Sequence, residues 1–94
     1  MKPRFLSFAP RTMIFAPLDP AWRPVPQGEP VYINPDELEA FKLVYYENLK
    51  QEEAASRMGV SRGTLWRCLE SARKKIATAL VEQRALVLVE EETE

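Results

Sequence analysis

Residues 56–75 read SRMGVSRGTLWRCLESARKK, and this stretch decides the fold that the sequence predicts. A first helical pattern ends at Gly59, where glycine permits the left-handed backbone conformation that turns the chain sharply. A second pattern begins at Ser61, because a serine hydroxyl at a helix start accepts a backbone hydrogen bond. Ala55 is small, as a close crossing of two helices requires. The stretch therefore predicts a helix-turn-helix.

Another helix is predicted upstream, over residues 35–47. Asn34 is a good N-cap, Pro35 suits the first helical position, and Glu37 completes a capping box three residues on. Apolar residues then recur at helical spacing. They are Leu38, Phe41, Val44, Tyr45 and Leu49. We expect this stripe to face the core.

The two helices on either side of Gly59 have their own signals. In the first, Glu52 and Glu53 occupy the first turn, where the helix dipole favours negative charge, whereas Lys50 is a poor N-cap. The second covers residues 61–82 and would be about 30 Å long at a rise of 1.5 Å per residue. Its apolar residues are Leu65, Cys68, Leu69, Ala72, Ile76, Ala79 and Leu80. We expect all of them to face inward, with the cysteine as a small core residue.

The segments outside the helices are expected to be extended. Residues 1–30 hold seven of the eight prolines, which exclude a helix there. Short strands are predicted at residues 12–15, 31–33 and 85–90. Because an isolated strand is not stable, the third must pair with one of the others or with the same strand of another chain.

The predicted fold is mainly α-helical. It is a three-helix helix-turn-helix domain with an extended N-terminal arm and a small β element from the N- and C-terminal segments. A chain of 94 residues buries one modest core, so we expect one domain overall. Its parts are a proline-rich arm with short strands over residues 1–33, the helix-turn-helix over residues 34–83, and a strand with an acidic tail over residues 84–94.

Positive charge is concentrated in the stretch quoted above. It holds six positive residues and one negative residue, a net charge of +5, although the whole chain carries −1. If the apolar side of the last helix faces inward, the opposite face is determined. That face holds Arg62, Gly63, Trp66, Arg67, Glu70, Arg73 and Lys74. A cationic face at this place is typical of a recognition helix in the major groove of double-stranded DNA.

The residues of this region can be given roles on DNA. Arg62 and Arg67 could each donate two hydrogen bonds to a guanine. Ser61, Thr64 and the helix N-terminus suit phosphates, and Gly63 leaves space for close approach. The remaining cations would neutralise the DNA backbone, namely Arg57, Arg73, Lys74 and Lys75. The predicted function is sequence-specific binding of double-stranded DNA in transcriptional regulation, with an affinity that falls steeply with salt.

A family resemblance supports this interpretation. The pieces DELEA, QEEAA, RMGVSR and ESARKK resemble a family of small, uncharacterised, predicted DNA-binding proteins from bacteria and archaea. The helix-turn-helix of that family is similar to region four of RNA polymerase sigma factors. The resemblance covers residues 12–90, and TMIFAP and ALVLVE fall where the family has short extended segments. It implies DNA contacts at Ser61, Arg62, Thr64, Trp66 and Arg67, and it implies no base preference.

Several residues have a second interpretation. The basic stretch could be only a solvated helix face, and Trp66 could be buried in the core or in a subunit interface. We expect Trp22 to pin the arm to the body. Of Tyr45 and Tyr46, one should pack while the other reaches solvent or a partner. The acidic tail is expected to confer solubility, or else to fold over residues 73–75 and compete with DNA.

Other classes of function find less support in the composition. The chain has no histidine and one cysteine, which excludes histidine-based acid–base catalysis and a disulfide within the chain. It shows no metal cluster, no nucleophile with a base, no glycine-rich phosphate loop and no apolar run of about 20 residues. We therefore predict no enzymatic activity, no metal, no cofactor, no membrane contact and a cytoplasmic location.

Two partners besides DNA are considered. A homodimer is predicted because the C-terminal strand needs a partner and because the last helix extends past any contact with a groove. The alternative function is a protein-interaction module that contacts RNA polymerase or a regulator. RNA binding stays open, although the aromatic residues expected for binding single strands are not clustered on a sheet.

Overall fold

The structure, a computed structural model, describes residues 12–89. These residues form three α-helices and three short strands. The strands are β1 (Met13–Phe15), β2 (Val31–Ile33) and β3 (Leu86–Leu88), and the helices are α1 (Pro35–Phe41), α2 (Gln51–Met58) and α3 (Arg62–Glu82). α1 continues directly as a π-helical segment, Lys42–Tyr46. The mainly helical fold with a small β element is thus confirmed, while the predicted acidic tail lies outside the described residues.

Local signals set the ends of the helices as predicted. The backbone N–H of Asn34 donates to Glu37 Oε1 at 2.9 Å, as part of the capping box of α1. The side chain of Lys50 makes no capping hydrogen bond to α2. Gly59 ends α2 with a φ angle of 72°, which is the left-handed conformation that glycine adopts without strain. Ser61 Oγ accepts a backbone hydrogen bond from the first turn of α3 at 3.1 Å.

The three strands form one sheet with β3 in the centre. The order is β1-β3-β2, with β1 antiparallel and β2 parallel to β3. Phe15 and Val31 both lie opposite Leu86. β3 therefore finds both partners within its own chain. Of the two reasons for expecting a homodimer, only the length of α3 remains.

The prolines predict an extended arm between β1 and β2. In the structure this arm is not extended throughout but contains a sharp turn. Leu18 and Pro24 form an isolated antiparallel bridge. Between them, the Asp19 carboxylate accepts hydrogen bonds from the backbone N–H of Arg23 at 3.0 Å and from its guanidinium at 2.9 Å. The turn leaves Trp22 80% exposed, so the prediction that this ring pins the arm to the body is wrong.

The core lies where the three helices meet. Its central cluster of buried side chains is Ala40, Leu43, Ala54, Ala55, Leu65 and Leu69. The α2 members are both alanines, as the prediction of a small residue in that helix requires. Cys68 is half-buried against the cluster, and burial, together with the nearby Asp36 carboxylate, raises the pKa of its thiol. β2 also packs against α3, and its Ile33 is buried.

The buried side of α1 differs from the predicted stripe. Leu38 and Phe41 are only half-buried and Tyr45 is exposed, whereas Glu37 and Ala40 are buried. The physical reason is that the carboxylate of Glu37 is hydrogen-bonded to α3, which brings this side of α1 against its neighbour. Ala40 then allows a close approach of the two helices.

The inward stripe of α3 is confirmed over most of its length but fails in the last turn. Leu65, Leu69, Ala72 and Ala79 are buried, while Leu80 is 75% exposed. No described element covers that side of the last turn, since Leu80 and the adjacent Val81 are 75% and 80% exposed. The prediction of an inward Leu80 is therefore wrong.

Candidate functional site

One face of α3 carries the residues that the sequence assigns to DNA. We call this the basic face, and it consists of Arg62, Gly63, Trp66, Arg67, Glu70, Arg73 and Lys74. All of these are exposed except Glu70, which is half-buried. Leu65 and Leu69, on the other side of the helix, are fully buried in the core. The packing of α3 therefore determines which side the basic face presents to solvent.

Trp66 lies on the basic face and is not a core residue. Its exposed fraction is 50%, so part of the indole contacts the protein and part is open to solvent. The interpretation of Trp66 as a buried core residue is therefore wrong for this chain. An aromatic side chain in this position offers a rigid apolar surface between two arginines.

The first turn of α3 is held by a short chain of hydroxyl hydrogen bonds. Ser61 Oγ accepts from the backbone N–H of Thr64 at 3.1 Å and donates to Thr64 Oγ1, also at 3.1 Å. Arg67 Nη2 donates to the same Thr64 oxygen at 3.3 Å. These bonds hold the guanidinium of Arg67 near the N-terminus of α3, where the helix dipole adds positive potential.

Gly63 lies on the basic face where a larger residue would also fit. A Cβ atom added there would lie 3.9 Å from Ser61 Oγ, an ordinary contact distance. Packing within the chain therefore does not require glycine at this position. The gap lies on the solvent side of the first turn, between Arg62 and Arg67.

Three cations of the basic face lack an ionic partner. Within the part of the chain that the structure describes, Arg62, Arg67 and Lys74 form no ion pair with a carboxylate. Their positive charge is therefore not neutralised by an ion pair within residues 12–89. An exposed cluster of positive charge attracts polyanions through its local field, whatever the net charge of the protein.

Other cations of the stretch are held by partners. Arg73 donates hydrogen bonds to the Glu70 carboxylate and the Tyr45 hydroxyl, and its guanidinium lies 6.0 Å from the centroid of the Tyr45 ring. The bond to Tyr45, followed by that to Glu70, raises the pKa of Arg73 above its usual value. Arg57 pairs with Glu47 at 3.3 Å. The structure thus ties Arg57 and Arg73 to the α1 region.

Lys75 does not belong to the basic face. Its Nζ lies 2.9 Å from Glu37 Oε1, on the side of α3 that packs against α1. Lys75 is therefore held in an ion pair within the protein, an arrangement that does not favour the predicted contact with phosphates. The physical reason is the helical repeat, because consecutive residues differ by about 100° around the axis and the step from Lys74 turns Lys75 inward.

The ion pair of Lys75 is part of a buried polar cluster that the sequence did not predict. Glu37 is 7% exposed, and its carboxylate accepts hydrogen bonds from the Ser71 hydroxyl, the Lys75 ammonium and the backbone of Asn34. Burial would raise the pKa of Glu37, but these bonds outweigh it and hold the pKa below its ordinary value. The only signal in the sequence is that Ser71 and Lys75 are four residues apart on one side of a helix.

Both tyrosines of the π-helical segment are exposed, but Tyr45, at 44%, keeps contacts within the protein. Tyr45 packs against Phe41, with ring centroids 5.0 Å apart, and contacts Arg73. Tyr46 is 81% exposed and reaches solvent. Tyr45 thus contacts the basic face through Arg73, while Tyr46 does not belong to that face.

Residues 12–89 contain no group of three or more acidic or cysteine residues that could hold a metal ion. In the same residues, no helix combines the length and apolar character that crossing a membrane requires.

The described residues define a mainly α-helical protein with a small three-stranded sheet, and its longest helix presents an exposed basic face. The chain belongs to the family described as protein of unknown function DUF134, whose model matches residues 1–94. This confirms the resemblance to a family of small uncharacterised proteins.

Curated relatives from archaea and from a bacterium carry the name UPF0251 protein. The relative from Thermococcus kodakarensis is 49% identical over 87 residues, which cover 92% of this chain and 74% of the relative. The one from Pyrococcus abyssi is 51% identical over 87 residues, covering 92% and 76%. The one from Vibrio parahaemolyticus is 49% identical over 70 residues, covering 74% and 73%. No solved structure matches the chain.

Proposed function

We propose that this protein binds double-stranded DNA with sequence preference through the basic face of α3, and that it acts in transcriptional regulation. The observation that carries the proposal is the exposure of Arg62, Arg67 and Lys74 without ion pairs in the described residues. These cations lie opposite a fully buried apolar side, so the core packing itself presents them. The proposal requires no catalysis and no cofactor, and it places the protein in the cytoplasm with the chromosome.

The arrangement of α2, Gly59 and α3 supports this proposal. A tight turn between two packed helices is the geometry in which a second helix enters the major groove with its N-terminal residues at the bases. We further propose that the three helices together form a domain similar to region four of sigma factors. In that arrangement, α2 would cross the DNA backbone while the first turns of α3 read the bases.

Each residue of the basic face has a physical role in this proposal. Arg62 and Arg67 would each donate a pair of hydrogen bonds to a guanine. Trp66, half exposed between them, would contact a thymine methyl group. The N-terminus of α3, with the hydroxyls of Ser61 and Thr64, would bind phosphate. The gap at Gly63 would let the first turn approach the base edges closely.

Replacing either arginine should change which sequences are bound. We expect Arg62→Ala and Arg67→Ala each to lose preference at one base position, at a cost of roughly 5- to 150-fold in affinity for the parent site. The measurement is selection of bound duplexes from a random pool, followed by titration of the selected sites. Arg23→Ala, which removes an exposed arginine outside α3, is the matched control. If both α3 variants select the same sequences as the parent, Arg62 and Arg67 do not read bases.

Lys74 and Lys75 provide a sharp test of the DNA-facing side. Lys74→Ala should weaken binding to all duplexes alike and reduce the slope of log affinity against log salt by about 1, since one phosphate contact is lost. Lys75→Met removes the same charge from the next residue but should leave that slope unchanged while lowering stability. Fluorescence anisotropy at several salt concentrations measures both variants. Equal slopes for the two would mean that the basic face does not contact the backbone as proposed.

A second candidate function is a protein-interaction module that contacts the transcription machinery. It is favoured by Tyr46 and Trp22, which are 81% and 80% exposed and lie outside the basic face. Exposed aromatic side chains are enriched at protein interfaces. Co-purification with protein that resists nuclease, without retardation of any duplex, would support this function over DNA binding.

A further inference from the structure

The C-terminal end of α3, far from the first turns that carry Arg62 and Arg67, has an exposed apolar surface. Leu80 and Val81 in the last turn are 75% and 80% exposed, and the three residues of β1 are 58–65% exposed. A groove of about 290 Å³ lies between these elements, with Phe15, Ile76 and Leu80 among its lining residues. We call this surface, formed by Met13, Phe15, Leu80 and Val81 around the groove, the apolar patch.

The apolar patch supplies most of the apolar area that a stable dimer buries. Taking about 150 Å² for a fully exposed large side chain, Met13, Phe15, Leu80 and Val81 together expose roughly 400 Å². Ile14 points to the opposite face of the strand and is not counted. A standard interface buries about 800 Å² on each partner, of which about 60% is apolar, or roughly 500 Å². A surface of this size is also at the upper end of what a monomer usually leaves exposed.

The apolar patch is complementary to itself. It combines a groove with a protruding apolar side chain, Leu80, so that a second copy related by a two-fold axis offers a knob for each groove. β1 is the outer strand of the sheet in the described residues, and its free edge can pair with the same strand of another copy. Arg84, which also lines the groove, already donates to the Glu29 carbonyl and to Glu82, so no uncompensated charge opposes apolar contact.

We infer that a second copy of this chain covers the apolar patch, so that the protein forms a two-fold homodimer held by Leu80, Val81 and β1. The Leu80 side chain of each copy lies in the groove of the other. This explains why Leu80 is exposed in the single chain although the helical pattern predicts that it faces inward.

The dimer also constrains the DNA site, and this part rests on the proposed function. Leu80 is eighteen residues after Arg62 in one continuous helix, a distance of about 27 Å at 1.5 Å per residue. Because Leu80 also lines the groove, the two Leu80 residues lie close to the two-fold axis, and the two Arg62 residues are then about 54 Å apart or less. Half-sites one helical turn apart, about 34–36 Å, can therefore be reached, whereas a separation of two turns cannot. Selected sequences should be inverted repeats with that spacing.

The oligomeric state of the full chain without DNA tests the inference. By sedimentation equilibrium we expect a dimer of the 10.8 kDa chain, and Leu80→Lys should weaken association at least tenfold. The matched control is Tyr46→Lys, which places the same charge on another exposed apolar residue and should leave the dimer intact. Circular dichroism checks that both variants keep the parent's helix content. A parent protein that stays monomeric at 100 μM would overturn the inference, whether residues 1–11 or no segment covered the apolar patch. A Leu80→Lys protein that associates like the parent would also overturn it.

A cross-linking measurement gives an independent result. In a Cys68→Ser background, Leu80→Cys should form a disulfide-linked dimer on mild oxidation, while Tyr46→Cys should not. Absence of the link at Leu80 contradicts the two-fold arrangement. Neither measurement involves DNA, so a dimer that retards no duplex would contradict the proposed function alone, and a DNA-binding monomer would contradict the dimer alone.

Discussion

Leu65→Ala is expected to lower the free energy of unfolding by about 3 kcal/mol, within the range of 2–5 kcal/mol for such changes in a core. Leu65 is completely buried and belongs to the cluster that joins α1, α2 and α3. Its removal loses buried apolar area and leaves a cavity that the surrounding helices can only partly fill. Since domains of this kind are stable by about 5–15 kcal/mol, the variant should melt at a markedly lower temperature.

Urea denaturation monitored by circular dichroism measures this effect. Leu18→Ala is the control, because Leu18 lies in the arm and is 45% exposed, so we expect a loss below about 1 kcal/mol. The core position of Leu65 is also what directs the basic face to solvent. Equal stability of the two variants would contradict the packing of α3 described above.

Glu37→Gln is expected to lower the free energy of unfolding by about 2 kcal/mol at neutral pH, since hydrogen bonds to charged groups contribute about 1.5–3 kcal/mol. The substitution keeps the shape of the side chain but removes the charge that pairs with Lys75. Part of the loss is offset because Lys75 is 30% exposed and can turn its ammonium to water. Thermal or urea unfolding measures the difference.

The pH dependence of this difference has a definite sign. Because the folded pKa of Glu37 is lowered from 4.5, the unfolded chain takes up a proton before the folded chain does. The stabilisation by Glu37 is therefore complete above pH 4.5 and is lost as the pH falls through the lowered folded pKa. The stability gap between the parent and Glu37→Gln should accordingly narrow in acid. Glu39→Gln, on the same helix and half-exposed, is the control and should show little change at either pH. A gap that widens in acid would mean that Glu37 is not ionised in the fold.

The helix boundaries could be predicted from the sequence because their signals are local. Asn34 and Glu37 meet across one helical turn, Ser61 contacts the backbone three residues on, and Gly59 determines its own φ angle. None of these interactions depends on what the helix packs against. The same is true of the side of α3 that carries Arg62 and Arg67, because Leu65 and Leu69 define an inward side at helical spacing.

Contacts between distant residues could not be predicted in this way. The buried side of α1 is decided by the bonds of Glu37 to Ser71 and Lys75, more than thirty positions later in the chain. The sequence pattern therefore favoured Leu38 and Phe41, which the structure leaves half-buried. Lys74 and Lys75 are the same residue type at neighbouring positions. Only the location of α1 shows that Lys75 has a structural role, whereas Lys74 is available to a polyanion.

The amino-acid sequence by itself determined the places of the three helices and three strands, the caps at Asn34, Gly59 and Ser61, and the cationic side of α3, because each follows from the geometry of a few consecutive residues. The tertiary structure alone decided the sheet order, the buried cluster around Glu37 and the exposure of Leu80. These three features depend on which surfaces meet in space. Burial involves two surfaces, so the sequence of one segment alone does not specify it.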